Sequence, residues 1–272
     1  MNCRHFRVTT SIITVPVGAL IIGFSSCSVI APTDDGSHTR HSATLPFSYG
    51  YAVDDHGRLE ILAGNNSVEI VGVTEQGTVL IWGERRVRSE SVEDAEAHLD
   101  DIEIHIDRTY HHVRLETIQP ESSDGRIYEV DYRARVPRDW GVTIDKASGA
   151  VSVSLLNGPI CIDLANGDAH LDRVLGDVYA TLFNGDILAD LSLVSGGTCD
   201  IVVTNGDIDL GIPHTTSAMF SAHIVNGSID VSELPLNETG HSSNEVHGYL
   251  GGGDGSINLE ATNGSIRVCC SR

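Results

Sequence analysis

From residue 149 onward, apolar and polar residues alternate in short runs that restart whenever the chain passes a glycine. Gly149, Gly158, Gly167, Gly176 and Gly185 recur at intervals of nine, and Gly197, Gly206, Gly227, Gly255 and Gly264 continue the series at steps of 12, 9, 21, 28 and 9. Two residues after each glycine stands an apolar residue, and another follows two later, as in Val151/Val153, Ile160/Ile162, Ile187/Ala189, Ile208/Leu210, Ile257/Leu259 and Ile266/Val268. Alternation of period two predicts strands with one buried face. Six Asn-Gly pairs punctuate the runs, at Asn157, Asn166, Asn184, Asn205, Asn226 and Asn263. Both residues accept positive φ at low cost, so each pair marks a tight corner.

Asn-Gly between alternating runs also signals hairpins, which would give an antiparallel meander. The spacing of alternate corners favours a solenoid instead. Ser148, Asn166, Asn184, Asn205, Asn226, Asn244 and Asn263 follow one another at 18, 18, 21, 21, 18 and 19 residues, and the corners between them are far less uniform. Hairpins give no reason for every second turn to share its chemistry. A coil of two strands and two corners does, because equivalent corners stack and their amides can form a ladder. The expected fold is all-β, a two-sheet parallel β-solenoid of about 18–21 residues per coil, with regular repeats over 141–272.

The same alternation appears in Gly57–Ile61, Ser67–Ile70 and Gly77–Ile81, so a single repeat domain is expected over 45–272. An excursion interrupts it. Ser91 reads as the N-cap of a helix over 92–100, with Glu93 and Asp94 in its first turn. Strand-like runs follow at 102–107, 112–117 and 127–136, and a loose polar segment is expected over 235–253. Hydrophobic residues make up 40 % of the 272 residues but aromatics only 5 %, which suits thin aliphatic layers between two close sheets.

The formal net charge is −21 and Lys146 is the only lysine. Such a surface repels nucleic acid and anionic lipid headgroups. The amino terminus reads differently. Arg4 and Arg7 precede an apolar stretch over 8–24 that holds Pro16 and Gly18, which predicts a signal peptide over 1–26 rather than a spanning helix. Phe24-Ser25-Ser26-Cys27 resembles a bacterial lipobox, with Phe24 where leucine is usual. That resemblance implies lipidation of Cys27 and a membrane partner reached through the lipid. It also implies an exported protein, an outer-membrane or cell-surface lipoprotein or otherwise a periplasmic one, with residues 27–44 as a flexible tether. Cys161, Cys199, Cys269 and Cys270 match no zinc spacing, and alternation turns Cys199 and Cys270 inward.

No serine elbow, zinc-binding His-Glu-x-x-His or phosphate loop occurs, and no catalytic residues are assigned. His111 and His112 adjoin, but on a strand they face opposite ways. Asp168, Asp186 and Asp207 each follow the glycine of an Asn-Gly corner. Stacked coils would line them up about 5 Å apart. The expected role is structural and no cofactor is predicted; a cation taken by such a column would be calcium, a hard ion suited to carboxylates.

The Leu59–Ile61 and Ser67–Gly72 strands, the Ser91–Leu99 helix, the strand ending in Val136-Pro137 and the Asn-Gly-Asp/Ser-Ile repeats together resemble the bacterial putative-adhesin family of β-strand-repeat domains (domain of unknown function 4097) over about residues 45–270. The resemblance implies an exported, non-enzymatic β-solenoid and carries no catalytic residues across. The expected function is that of an envelope-tethered structural or adhesin-like binding module whose partner is a surface glycan or protein. The alternatives are a polysaccharide-active enzyme on a β-helix and an envelope-stress accessory protein. Outward polar and aromatic residues clustered on one sheet would favour the module, and a groove of converging acidic and basic groups the enzyme.

Overall fold

The computed structural model describes residues 41–65, 67–75 and 77–271; the signal segment and Cys27 lie outside them. Strands β1 (His41–Ala52), β2 (Arg58–Ala63), β3 (Val68–Val73) and β4 (Thr78–Ser89) precede the helix α1 (Val92–Ala97) and a 3₁₀ turn at Leu99–Asp101. Then come β5 (Glu103–Arg108), β6 (His112–Ile118), β7 (Ile127–Pro137), β8 (Gly141–Ser148), β9 (Val151–Ser154), β10 (Ile160–Asn166) and β11 (Ala169–Leu175). The rest is β12 (Val178–Asn184), β13 (Ile187–Ser192), β14 (Thr198–Asn205), β15 (Ile208–Pro213), β16 (Ala218–Asp230), β17 (Asn237–His241), β18 (Glu245–Leu250) and β19 (Gly255–Ser271).

These strands form the two walls of a parallel solenoid. In the first wall β2, β8, β10, β12, β14, the first half of β19 and the first half of β16 pair in that order, all parallel. In the second wall β3, β9, β11, β13, β15, the second half of β19 and the second half of β16 do the same. Equal registers in successive coils stack like residues into columns. One inward column runs Val68, Val151, Ala169, Ile187, Ile208, Ile266 and Ile229. All but the last are buried. Ile229 is only half-buried because no coil covers it on the second wall. Each fully buried aliphatic side chain contributes about 1.5–3 kcal/mol, and these columns hold the stack together.

Antiparallel strands close the ends and cover most of the open edges. At the amino end β5 pairs with β6, β4 pairs with β7, and β1 pairs with β4 along its whole length. At the carboxyl end β18 covers β16 and β17 covers β18. The helix packs on β1 and β4 and buries Ala95. Ser91 caps it by accepting the Asp94 N–H at 3.1 Å. Arg126 donates twice to the Asp94 carboxylate, at 2.7 Å each, and Ser89 donates a third hydrogen bond, which together hold that carboxyl well below the usual carboxylate range.

Several expectations are corrected. Strand β1 starts at His41, so residues 41–44 belong to the sheet rather than to a tether. The helix ends at Ala97 and passes into the 3₁₀ turn instead of running to residue 100. The run at Gly77–Ile81 is no third coil, since β4 pairs antiparallel with β1 and β7. The segment 235–253 contains β17 and β18.

The order of coils is also not the order of the chain. The last strand, β19, sits between the β14/β15 coil and β16. At the other end the β2/β3 coil sits between β6/β7 and β8/β9. The β7–β8 and β15–β16 connections must therefore each step across one coil. Trp140 fills the first of these crossovers. It is fully buried, its Nε1 donates to the Asp54 carbonyl at 2.8 Å, and its ring leaves no room for a side chain at Gly57, where a Cβ would lie 2.6 Å away.

Candidate binding surfaces of the solenoid

The Asn-Gly corner is a continuous ladder. Asn184 donates from Nδ2 to Asn166 Oδ1 at 2.8 Å, Asn205 to Asn184 at 2.9 Å, Asn263 to Asn205 at 2.7 Å and Asn226 to Asn263 at 3.0 Å. The spatial order is thus 166, 184, 205, 263, 226, with the last two inverted relative to the chain. Asn244 does not join it; its carbonyl accepts the Ile224 N–H at 2.9 Å. Asn157 lies at the opposite corner and donates to Asp139 Oδ1 at 3.0 Å.

Glycine is required beside this ladder. Gly185 and Gly206 have φ of +138° and +146°, and a Cβ on either would lie 1.9 or 2.0 Å from the carbonyl oxygen of the glycine one coil below. The aspartates that follow serve the same corner. Asp168 Oδ1 accepts the Asp186 N–H at 3.0 Å, Asp186 Oδ1 accepts the Asp207 N–H at 2.8 Å, and Asp207 Oδ1 accepts the Ser265 N–H at 2.7 Å. Each carboxylate supplies a partner for a corner amide that the strand ladder does not reach. Among the described residues no group of three or more His, Cys, Asp or Glu is placed to hold a metal ion.

The two outer faces differ. On the first wall β12 turns Tyr179, Thr181 and Phe183 outward, beside Asp200, Val202 and Thr204 of β14. Phe183 is 57 % exposed at the very edge of the Asn ladder, and Val225 is 55 % exposed in the same row three coils further on. The second wall presents His170, Leu188, Asp209 and Arg267 in a row, with an Arg267–Asp209 ion pair at 3.1 Å. Outward aromatic residues of the central coils are therefore confined to the first wall. The two adjoining histidines serve separate partners: His111 faces Asp54 at 3.2 Å and His112 faces Glu60 at 3.0 Å. Cys199, Cys269 and Cys270 are free thiols, and burial pushes the Cys199 thiol up to about 12.

The lone lysine is buried, which its place in the charge count does not show. Lys146 is 2 % exposed, and among the described residues its Nζ finds no hydrogen-bond partner. Burial lowers its pKa from 10.5 to about 8, partly offset by the Asp131 carboxylate. The signal was present, because Val142, Ile144 and Lys146 occupy one side of β8 and the first two are core residues.

A family model described as Toastrack DUF4097 matches residues 86–269. Three solved structures resemble the chain at low identity. The crystal structure of a putative cell adhesion protein from Clostridium sporogenes ATCC 15579 aligns with a TM-score of 0.49 and 13 % identity, covering 83 % of this chain and 100 % of that one. A putative adhesin from Bacteroides fragilis NCTC 9343 gives 0.33 and 9 %, covering 83 % and 97 %. A putative lipid binding protein from Parabacteroides distasonis ATCC 8503 gives 0.22 and 9 %, covering 84 % and 97 %. No curated protein matches the chain in sequence.

Proposed function

The chain belongs to the Toastrack DUF4097 family, and from that premise we propose that it is a non-enzymatic binding module, exported and held at the cell envelope by a lipid on Cys27. The observation that carries the binding role is the first wall. There the sheet exposes Phe183 and Thr181, with Tyr179, Val202 and Thr204 half-buried beside them, next to a row of ordered amides. Exposed aromatic and apolar groups rimmed by polar residues mark interaction surfaces, and an aromatic ring offers a large contact area at small entropic cost. The stacked coils fix these side chains before any partner arrives, which reduces the ordering cost of binding. The partner is a surface glycan or protein, and the acidic surface disfavours nucleic acid.

Glycan-array and pull-down experiments with the soluble form lacking residues 1–27 test the reading. Capture of a glycan or envelope protein that Phe183→Ala weakens supports it. Equal capture by Phe183→Ala and Tyr179→Ala variants would remove the first wall from the argument. The tether has its own test. Metabolic labelling with a fatty-acid analogue should be lost in Cys27→Ser; unchanged labelling and membrane association would refute lipidation at that residue.

A further inference from the structure

A crevice lies beside each crossover, and a large side chain, Trp140, is buried at the first. Because β19 is inserted beneath β16, the connection after β15 (Pro213–Ser217) reaches from its own coil to the next coil but one. The extra step is one strand spacing, about 4.8 Å. At the amino end Trp140 is buried at the corresponding connection, beside a crevice of about 380 Å³ over Val53, Asp54, Asp55, His56 and His111. At the carboxyl end the connections carry serine, threonine and small residues, and a crevice of about 270 Å³ remains between the 192–195 and 213–217 segments. Chain crossovers of this kind open crevices because neighbouring connections diverge, the same geometric reason that ligands gather at switch points of open sheets.

The lining has a consistent chemistry. Ser195, Thr215 and Thr216 offer hydroxyls that both donate and accept, Val194 and Pro213 offer apolar lining, and Asp254 contributes a carboxylate. Val194 is 46 % exposed. Asp254 is positioned by Ser217, whose hydroxyl donates to Asp254 Oδ2 at 2.9 Å and accepts the Gly252 N–H at 2.9 Å. The loop before it is Gly251-Gly252-Gly253, with Gly251 and Gly253 at φ of +54° and +77°. Glycines of this kind carry an entropic cost. Here they turn the chain back from β18 so that Asp254 reaches the crevice.

We infer that this crevice binds one neutral saccharide ring. A sugar presents hydroxyls that need partners able to donate and accept, a C–H face that needs apolar lining, and vicinal hydroxyls that suit a carboxylate acceptor. The crevice supplies all three. Its volume fits one ring better than a chain, and its carboxylate in a chain of net charge −21 rejects uronic and sialic acids. The inference rests on the binding-module reading and gives it a ligand class and a second location away from the first-wall aromatics.

The test uses the full-length protein in mild detergent with methyl glycosides of glucose, galactose, mannose and N-acetylglucosamine, and methyl glucuronide as the charge control. Saturation-transfer NMR and calorimetry read binding. At least one neutral glycoside should bind and the glucuronide should not. Asp254→Asn, which keeps an oxygen for Ser217, should weaken binding at least tenfold, and Thr215→Trp, which fills the crevice, should do the same. Should Thr215→Trp fail to fold, Asp254→Asn decides alone. Phe183→Ala should leave glycoside binding unchanged. Absence of binding by all four neutral glycosides overturns the inference, and so does binding that survives Asp254→Asn. Binding lost in Phe183→Ala but kept in Asp254→Asn would overturn the crevice while upholding the first wall as the binding surface.

Discussion

Replacing Lys146 by methionine should stabilise the protein at neutral pH, and the size of the effect follows from the position of the amine. Lys146 is buried on β8 between Ala63 and Leu164, and among the described residues none hydrogen-bonds to its Nζ. The pKa falls from 10.5 to about 8 because burial penalises the ammonium, against a smaller opposing pull from Asp131. A folded-state pKa below the unfolded one means that folding is free of this penalty above about 10.5. Stability is lost as pH falls towards 8, and the full cost is present below it. At about 1.4 kcal/mol per pH unit the gap corresponds to an upper value of about 3 kcal/mol. Methionine keeps nearly the same volume without the charge, so packing should change little. Asp131 retains the Ser67 amide and hydroxyl, at 3.0 and 2.6 Å, and Arg86 at 3.7 Å. Urea unfolding of both proteins at pH 7 and pH 10 measures the difference. Buried tyrosines such as Tyr132, whose pKa burial raises to about 12, destabilise both proteins alike at high pH, so the difference between the two isolates the lysine. The variant should be more stable by about 1–3 kcal/mol at pH 7, with most of that gain gone by pH 10. A variant less stable at pH 7, or a difference that does not change with pH, would refute the reasoning.

Other expectations follow from the stack. Gly206→Ala places a Cβ 2.0 Å from the Gly185 carbonyl at a φ of +146°; thermal melts should show a loss of more than about 2 kcal/mol, and a neutral result would mean that the corner can open. Ile208→Ala should cost about 2–5 kcal/mol and Ile229→Ala clearly less, because only the first lies between two coils; equal losses in chemical denaturation would contradict the end position of β16. The Asp168/Asp186/Asp207 column should gain stability with sodium chloride, since the Debye length falls from about 10 Å at 0.1 M to about 3 Å at 1 M. Changing all three to Asn retains an oxygen for each corner amide and should be neutral or stabilising at low salt. Destabilisation of that variant, together with loss of wild-type stability on chelation and its recovery with calcium alone, would reassign the column as a cation site.

How much of this was legible in the sequence depends on the range of the interaction. Strand character, inward and outward sides and the Asn corner column are local or periodic properties. Alternation is imposed by the two-residue period of a strand, and only residues tolerant of positive φ can turn each corner. So Ile187, Ile208 and Ile266 could be read as core, and Asn166, Asn184 and Asn205 as equivalent, from spacing alone. Even the burial of Lys146 was implicit in the Val142–Ile144–Lys146 alternation. What the tertiary structure decided was which like element sits beside which. Asn226 and Asn263 follow corners of the same type, so either order satisfies the same local rules. Their inversion goes with the pairing of β18 on the outer edge of β16 and of β17 on β18, which puts β16 at the end of the first wall and β19 between it and β14. The crevice at Asp254 follows from that choice, because repeats that match one another carry no record of the order in which they stack.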